Sequence, residues 1–427
     1  MNTSTEKFIE PTLNPSNSTS PINFEFRFDR DEIQHELDVK IRSKLVENAL
    51  KIFNNFEEPV EKLNLYPVAR AGKSGSEVFY LDFYITTASY PKKFIAKFQS
   101  IKKTNDELKS AKKAAFASLC PNVISAEDKE NDLGIILYDL AKVKNHQEFR
   151  GYFLDENNSS ENCAIAIKSI LQEIGLHKNT NEPKREFIED FQKYIHRRQQ
   201  PVEKLEAFIN SSNEYYGISE IASRILASYN KIIKELNFSF TPYLVHGDLH
   251  ARNLMLNVKN PNQTELIDFG WTHYGHPAKD FVLLEITLKY MLLSELLLNM
   301  KSRNRNEPLH LPLTIFEKFE FLLCQNCFFL PDYESLSSII PELLELKPYQ
   351  NKALERVYLC LIEVRKEAGR ILREFTSKHD ADIPSAEQNY FASLFLVTLG
   401  LSEFSEMQPV WTLIGLDKIG AAIWQHS

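Results

Sequence analysis

Three features of this sequence predict an α+β chain in two lobes, a small antiparallel sheet followed by a larger, mainly helical body. Aromatic and β-branched runs cluster in residues 78–98, helical periodicity dominates beyond about residue 141, and one compact strand-rich patch, Tyr243 to Phe269, interrupts the helices. The length of 427 residues leaves room for two or three domains of about 150 residues each.

Taken in order, residues 1–22 are rich in Asn, Ser, Thr and Pro, with almost nothing to bury, and read as a flexible tail. Ile33, Leu37, Ile41, Leu45, Ala49 and Ile52 then recur at helical spacing, so residues 23–62 read as an N-terminal helical extension. Residues 63–140 form the sheet lobe. Val78 to Ile85 and Phe94 to Phe98 are adjacent strands across the turn-like Ala88-Ser89-Tyr90-Pro91, a helix follows over Asp106 to Leu119, and Leu133 to Leu140 is a further strand after the polar Glu127 to Asp132. Residues 141–427 form the helical lobe. Helix stripes run through Leu354, Val357, Leu361, Val364, Ala368 and Ile371, through Tyr390 to Leu401, and up to Trp424.

Composition narrows the partners. Lys plus Arg is 50 and Asp plus Glu is 58, a formal charge of −8, which is poorly suited to non-specific nucleic-acid binding. Five cysteines imply no disulfide framework. Cys324 and Cys327 form one CxxC amid Phe321, Leu322, Leu323, Phe328 and Phe329, without a second pair to complete a zinc site, and read as buried thiols. Met1 to Ser20 lacks the apolar core of a signal peptide, and Phe281 to Met300 is broken by Glu285, Lys289 and Glu295, so no membrane span is expected. A cytoplasmic location fits best.

The densest chemical signal is Leu244-Val245-His246-Gly247-Asp248-Leu249-His250-Ala251-Arg252-Asn253-Leu254-Met255-Leu256, followed by Leu266-Ile267-Asp268-Phe269-Gly270. One apolar strand delivers Asp248 into a tight loop, Asn253 lies five residues on, and a second apolar strand delivers Asp268. Phosphoryl transfer from a nucleotide needs oxygen ligands for magnesium and an acceptor for the attacking hydroxyl's proton. Asp248 supplies the acceptor, Asn253 and Asp268 supply the ligands, and Gly270 is expected to let the chain turn away.

This block resembles the catalytic and metal-binding loops of the protein-kinase-like fold. With His246-Gly247-Asp248 in place of His-Arg-Asp, it is similar to the aminoglycoside phosphotransferase and choline kinase group. The resemblance implies a phosphate-covering loop, a strand lysine, and ATP and Mg2+ as cofactors. Ala71-Gly72-Lys73-Ser74-Gly75-Ser76 offers the loop through Gly72, Ser74, Gly75 and Ser76, although such segments are also plain hairpin turns. A Walker A reading fails because Pro67 stands where its first glycine belongs. Lys97 has the strand context of the α/β-phosphate lysine, and Glu107 is its first candidate partner, unless that carboxylate pairs with Lys103 or Lys109. Tyr138 to Leu140 falls where the fold binds the adenine edge through backbone groups. His250 and Arg252 stand inside the catalytic loop, to stabilise developing charge or to pair with a neighbouring carboxylate. Asp280 matches the late Asp of the group that holds the catalytic loop.

The resemblance spans roughly residues 63–290. Only about ten residues separate Gly270 from Asp280 and no Ala-Pro-Glu follows, so the long activation segment of protein kinases is missing. That favours a small-molecule hydroxyl acceptor, with Glu285, Glu295, Glu363 and Glu367 as weak candidates to contact a cationic one. A protein or effector kinase, and a nucleotide-bound interaction module with little turnover, are the rival readings. The sequence names no oligomeric state.

Overall fold

The computed structural model describes residues 23–26, 36–53, 60–67, 76–85, 91–113, 121–140, 146–174, 181–196, 199–211, 218–300, 310–377 and 383–425. The proposed tail and the loop residues Gly72, Ser74 and Gly75 lie outside them. The chain divides into two compact units, Met1–Gln99 with Ile124–Leu137, and Ser100–Val123 with Tyr138–Ser427. These boundaries differ from the ranges 63–140 and 141–427 suggested by the sequence, because the helix expected in the sheet lobe packs with the second unit instead.

In the first unit, β1 (Asn23–Phe26), α1 (Glu36–Phe53), β2 (Val60–Pro67), β3 (Glu77–Ile85) and β4 (Lys92–Gln99) come in order. After α2 (Ile101–Lys113), which belongs to the second unit, β5 (Asn122–Asp128) and β6 (Leu133–Asp139) complete a sheet of order β1-β2-β3-β4-β6-β5. β2, β3 and β4 pair antiparallel, and because side chains alternate along a strand, Phe79, Leu81 and Phe83 all point to one face. β1 lies parallel to β2, so residues 23–62 contribute a strand as well as a helix. Leu45, Val46, Ala49 and Leu50 of α1 cover that face together with Leu63, Leu65, Phe94, Ala96, Phe98, Ile135 and Leu137, all at most 2% exposed. Edge-to-face contacts between Phe79 and Phe98 (5.7 Å) and Phe83 and Phe94 (6.2 Å) fill it. The extension is therefore part of this unit's core.

The second unit continues with β7 (His146–Glu148), α3 (Phe149–Leu154), α4 (Ser160–Leu171), β8 (Arg185–Glu186), α5 (Phe187–Ile195), α6 (Pro201–Ser211) and α7 (Ile218–Glu235). Its small strands β9 (Ser239–Phe240), β10 (Tyr243–Val245), β11 (Leu254–Asn257), β12 (Asn260–Leu266) and β13 (His273–Gly275) precede α8 (Lys279–Ile286). A π-helical turn, Thr287–Leu292, joins α8 to α9 (Leu293–Met300). Then follow α10 (Leu313–Gln325), α11 (Leu336–Ile339), α12 (Pro348–Ser377), α13 (Ala386–Leu401) and α14 (Pro409–Ala422). Side-chain oxygens cap α4, α13 and α14. Ser159 accepts from the Asn162 amide, Ser385 from Gln388 and Gln408 from Trp411.

The charges that interrupt Phe281 to Met300 are not a solvated face. Glu285 and Lys289 are fully buried with Glu320 and Arg365. Arg365 makes a two-pronged contact with Glu285, Lys289 bridges Glu285 (3.1 Å) and Glu320 (2.9 Å), and Tyr390 donates to Glu285 at 2.7 Å. Two anions and two cations thus cancel inside the helical body, the condition under which buried charge is tolerated. Cys324 and Cys327 are both buried, and burial pushes the Cys324 thiol up to about 12. Among the described residues no helix is long and apolar enough to cross a membrane.

Candidate active site

The candidate catalytic block folds around β10, whose three residues are all buried and pair antiparallel with β13, Val245 opposite His273. Beyond Val245 the backbone leaves the strand and its amides need new acceptors. Asp280, fully buried at the start of α8, supplies both: one carboxylate oxygen accepts from the His246 amide at 2.7 Å and the other from Gly247 at 2.8 Å. Burial pushes the Asp280 carboxyl up, and His246 and the two amides pull it back down. This is the loop-holding role expected of Asp280.

Gly247 is the residue that makes the turn. Its φ of +78° is a left-handed conformation, and a Cβ there would stand 2.4 Å from the Trp271 carbonyl oxygen. The Tyr194 hydroxyl of α5 donates to the Gly247 carbonyl at 2.5 Å. Asp248 follows with its side chain 27% exposed. The Asn253 side-chain amide donates to the Asp248 carbonyl at 2.8 Å, and the Ile267 amide donates to the Asn253 carbonyl at 3.0 Å. His246 Nε2 meets the Ile267 carbonyl at 3.0 Å. Asp248, Asn253 and the strand end before Asp268 are thereby tied into one frame.

Asp268 itself has φ +64°, and Gly270 does not take a left-handed conformation. The turn expected of Gly270 is therefore made two residues earlier by Asp268, an uncommon backbone state that short polar side chains tolerate best. A Cβ on Gly270 would meet Asp268 Oδ1 at 3.4 Å, an ordinary contact. Phe269 is buried, its ring 5.2 Å from His246 and 6.3 Å from Tyr138.

His250 Nε2 lies 3.7 Å from Asp248 Oδ2. Its Nδ1 accepts from the Arg252 amide at 3.2 Å, so in the neutral ring the proton sits on the nitrogen that faces Asp248. Arg252 lies close to Glu148, whose carboxyl is raised by burial and lowered by Arg252 and Arg150.

Thr104, Glu107 and Ala111 form the buried face of α2. Glu107 accepts a short hydrogen bond from the Tyr138 hydroxyl, and burial, Glu107 and Asp268 together push that phenol well up. Leu140 is buried beside it in sequence. In the first unit Lys97 is 5% exposed on the face of β4 opposite Phe94, Ala96 and Phe98. Ser76 donates to Gln99 on that same face at 3.0 Å. Of the acidic acceptor candidates, Glu285 is spent in the buried ion cluster, Glu295 pairs with Arg150 (2.7 Å) and Glu367 with Arg370 (2.7 Å).

Sequence reasoning missed Tyr194, Asp190, His273 and Lys279. Lys279 adjoins Asp280 and was within reach. Tyr194 and Asp190 stand on a helix with no local signal, and their contacts lie 53 and 89 residues away.

The donor set suits magnesium. Asn253 spends its amide nitrogen on Asp248, which leaves its oxygen for a ligand, and Asp268 offers a half-buried carboxylate. Among the described residues no group of three or more His, Cys, Asp or Glu gathers as a metal site. Magnesium asks for less, usually one or two protein oxygens with phosphate and water completing the shell.

Residues 82–288 match the profile of the phosphotransferase enzyme family, APH. Among solved structures, the choline kinase LicA from Streptococcus pneumoniae is 13% identical, over 77% of this chain and 99% of its own, with a TM-score of 0.35. The aminoglycoside phosphotransferase APH(3'')-Id from Streptomyces rimosus is 13% identical, over 70% and 92%, with a TM-score of 0.32. A glucosamine kinase in complex with glucosamine, ADP and inorganic phosphate is 10% identical, over 82% and 92%, with a TM-score of 0.44. No curated protein matches. The family match carries the resemblance read from the catalytic block, and with it the enzyme class, a phosphotransferase.

Proposed function

With residues 82–288 matching the phosphotransferase enzyme family, we propose that this chain moves the γ-phosphate of ATP, with magnesium, onto a hydroxyl of a small-molecule acceptor. The observation that carries the reading is the frame around Asp248: Asp280 fixes its turn, and backbone and side-chain bonds tie it to Asn253 and to the strand that ends at Asp268.

Asp248 orients the acceptor hydroxyl and takes its proton. The acceptor oxygen forms a bond to the γ-phosphorus as the β,γ-bridging bond breaks, and ADP leaves with that electron pair. Asn253 and Asp268 are assigned to magnesium, which supplies charge neutralisation on the phosphates when bound. Lys97 is assigned the α/β-phosphates, with Glu107 bracing the site, and residues 72–76 the phosphate cover. His250 and Arg252 contribute positive charge or a proton beside Asp248. Tyr138 and Leu140 are assigned the adenine edge through their backbone groups. The chemistry asks for positioning and charge neutralisation rather than a covalent intermediate. The short path from Phe269 through β13 to α8 favours a small acceptor over a protein substrate.

The test is thermal stability with Mg-ATP and with ATP plus chelator, followed by phosphate transfer to a panel of hydroxylated acceptors. A magnesium-dependent rise in the midpoint is expected, lost in Asp268→Ala, because a ligand that binds only the folded state must stabilise it. Asp248→Ala should keep nucleotide binding and lose transfer. Full activity in Asp248→Ala would defeat the assignment.

A further inference from the structure

Behind the catalytic turn lies a charged cluster that the mechanism leaves unused. The Lys279 ammonium is fully buried, and all three of its protons have an acceptor: Asp190 Oδ2 at 2.7 Å, the Asp190 carbonyl at 2.9 Å and His273 Nε2 at 2.9 Å. An ammonium can only donate, so His273 Nε2 carries no proton and Nδ1 does. That Nδ1–H points at the Trp271 carbonyl oxygen, 2.6 Å away. This is the same oxygen that closes on Gly247, where a Cβ would also meet the His273 ring at 3.1 Å. Asp190 is anchored in turn, accepting from the His276 amide at 2.7 Å.

Resting on the function proposed above, we propose that Lys279 is a positioning residue for Asp248. Held by Asp190, it sets the tautomer of His273, and His273 holds the Trp271 carbonyl against the Gly247 turn that presents the catalytic carboxylate. Neighbouring elements fit this arrangement. A Cβ on Gly275 would stand 2.8 Å from His273 Nε2 and 2.9 Å from Lys279 Nζ, so β13 carries a glycine where the cluster needs the space. The rings of Phe191 and Tyr194 lie 5.2 and 5.4 Å from the ammonium. Arg185 reaches the second Asp190 oxygen at 3.4 Å, while Asp280 and the buried, neutral His276 are the other titratable groups that face Lys279.

Burial lowers Lys279 to about 8 against the pull of Asp190, and burial together with Lys279 lowers His273 to about 4. Between those two pH values the cluster holds one state, ammonium, carboxylate and Nδ1-protonated neutral imidazole. Above about pH 8 the ammonium gives up a proton and one of its three bonds.

The experiment uses the full chain and the double variant Asp190→Asn/Lys279→Met. The double variant removes the charges as a pair and keeps an acceptor for the His276 amide, so it folds where Lys279→Met alone can fail. Long-range proton–nitrogen spectra of the histidine rings read the tautomer directly. His273 should be Nδ1-protonated in the wild type and should lose that preference in the variant. Turnover of ATP in the variant should fall about tenfold or more, the penalty of a displaced reacting group, with KM for Mg-ATP within about twofold. The alkaline limb of wild-type kcat near pH 8 should vanish in the variant. An Nε2-protonated His273 in the wild type overturns the proposal, as does a folded double variant with unchanged kcat. Failure of the wild type to transfer phosphate would count against the role of Asp248, whereas the ring tautomer reports on the Lys279 cluster alone.

Discussion

Asp280 offers a direct way to weigh what holds the catalytic turn. In Asp280→Ala the amides of His246 and Gly247, both in buried backbone, lose the acceptors they now have at 2.7 and 2.8 Å. Each buried donor left unmet costs about 1–3 kcal/mol, so the pair costs about 2–6 kcal/mol. Set against this, the carboxylate no longer has to be desolvated, a cost that its raised pKa records. A net loss of about 2–4 kcal/mol follows. Asp280→Asn keeps one acceptor oxygen and should lose about half as much. The functional effect should exceed the loss of stability. A slack turn moves Asp248, and a misplacement of about 1 Å can cost roughly 100-fold in rate. Urea unfolding read by tryptophan fluorescence gives the first quantity and kcat for ATP consumption gives the second. If Asp280→Ala unfolds within about 0.5 kcal/mol of wild type and turns over at the wild-type rate, the turn is held by something else and the reasoning is wrong.

Two further outcomes separate the glycines and the buried charges. Gly247→Ala should cost about 2–4 kcal/mol, since it must carry a left-handed φ and a Cβ 2.4 Å from a carbonyl oxygen, whereas Gly270→Ala should leave the unfolding midpoint nearly unchanged. Glu285→Gln should cost about 3–5 kcal/mol by stranding Arg365 in the helical core, and Glu285→Gln/Arg365→Met should recover most of it. This pair also has a pH signature. Burial alone would raise Glu285, but Arg365 and Lys289 pull it from 4.5 to about 2. Its stabilising contribution is therefore complete above pH 4.5 and drains away as pH falls towards 2. Glu320, raised by burial, acts in the opposite sense, and its contribution is lost as pH rises through its folded value. The double variant should lose the first dependence and keep the second, which urea midpoints measured across acid pH will show.

Much of the candidate site could be proposed from the sequence because its signals are local. Asp248 and Asn253 share one loop, and Asp268 ends the strand that pairs directly with the strand after Asn253. The same holds for β3 and β4, where aromatic and β-branched runs on either side of a short turn marked two adjacent strands, while their register came only with the structure. What stayed hidden was the use made of charges in the helical body. Glu285 and Lys289 read as breaks in an apolar stretch, because a sequence shows that a charge exists but not whether its neutralising partner is nearby. The division between units was hidden for a related reason. α2 follows β4 without a break, yet its buried face of Thr104, Glu107 and Ala111 is used in the second unit.

The amino-acid sequence by itself was enough to read the two-part α+β plan and the candidate block with its oxygen donors, and the resemblance of that block pointed to Asp280 as the residue that holds the loop. The block follows from spacing over fewer than about forty residues, the range across which periodicity and strand pairing constrain the chain, and the role of Asp280 follows from the resemblance that the block carries. Tertiary structure alone decided which buried charges neutralise each other, that Asp268 rather than Gly270 makes the left-handed turn, and that Asp190 meets Lys279 across 89 residues. A buried ion must find a counter-ion in space, and chain separation places no bound on where that partner comes from.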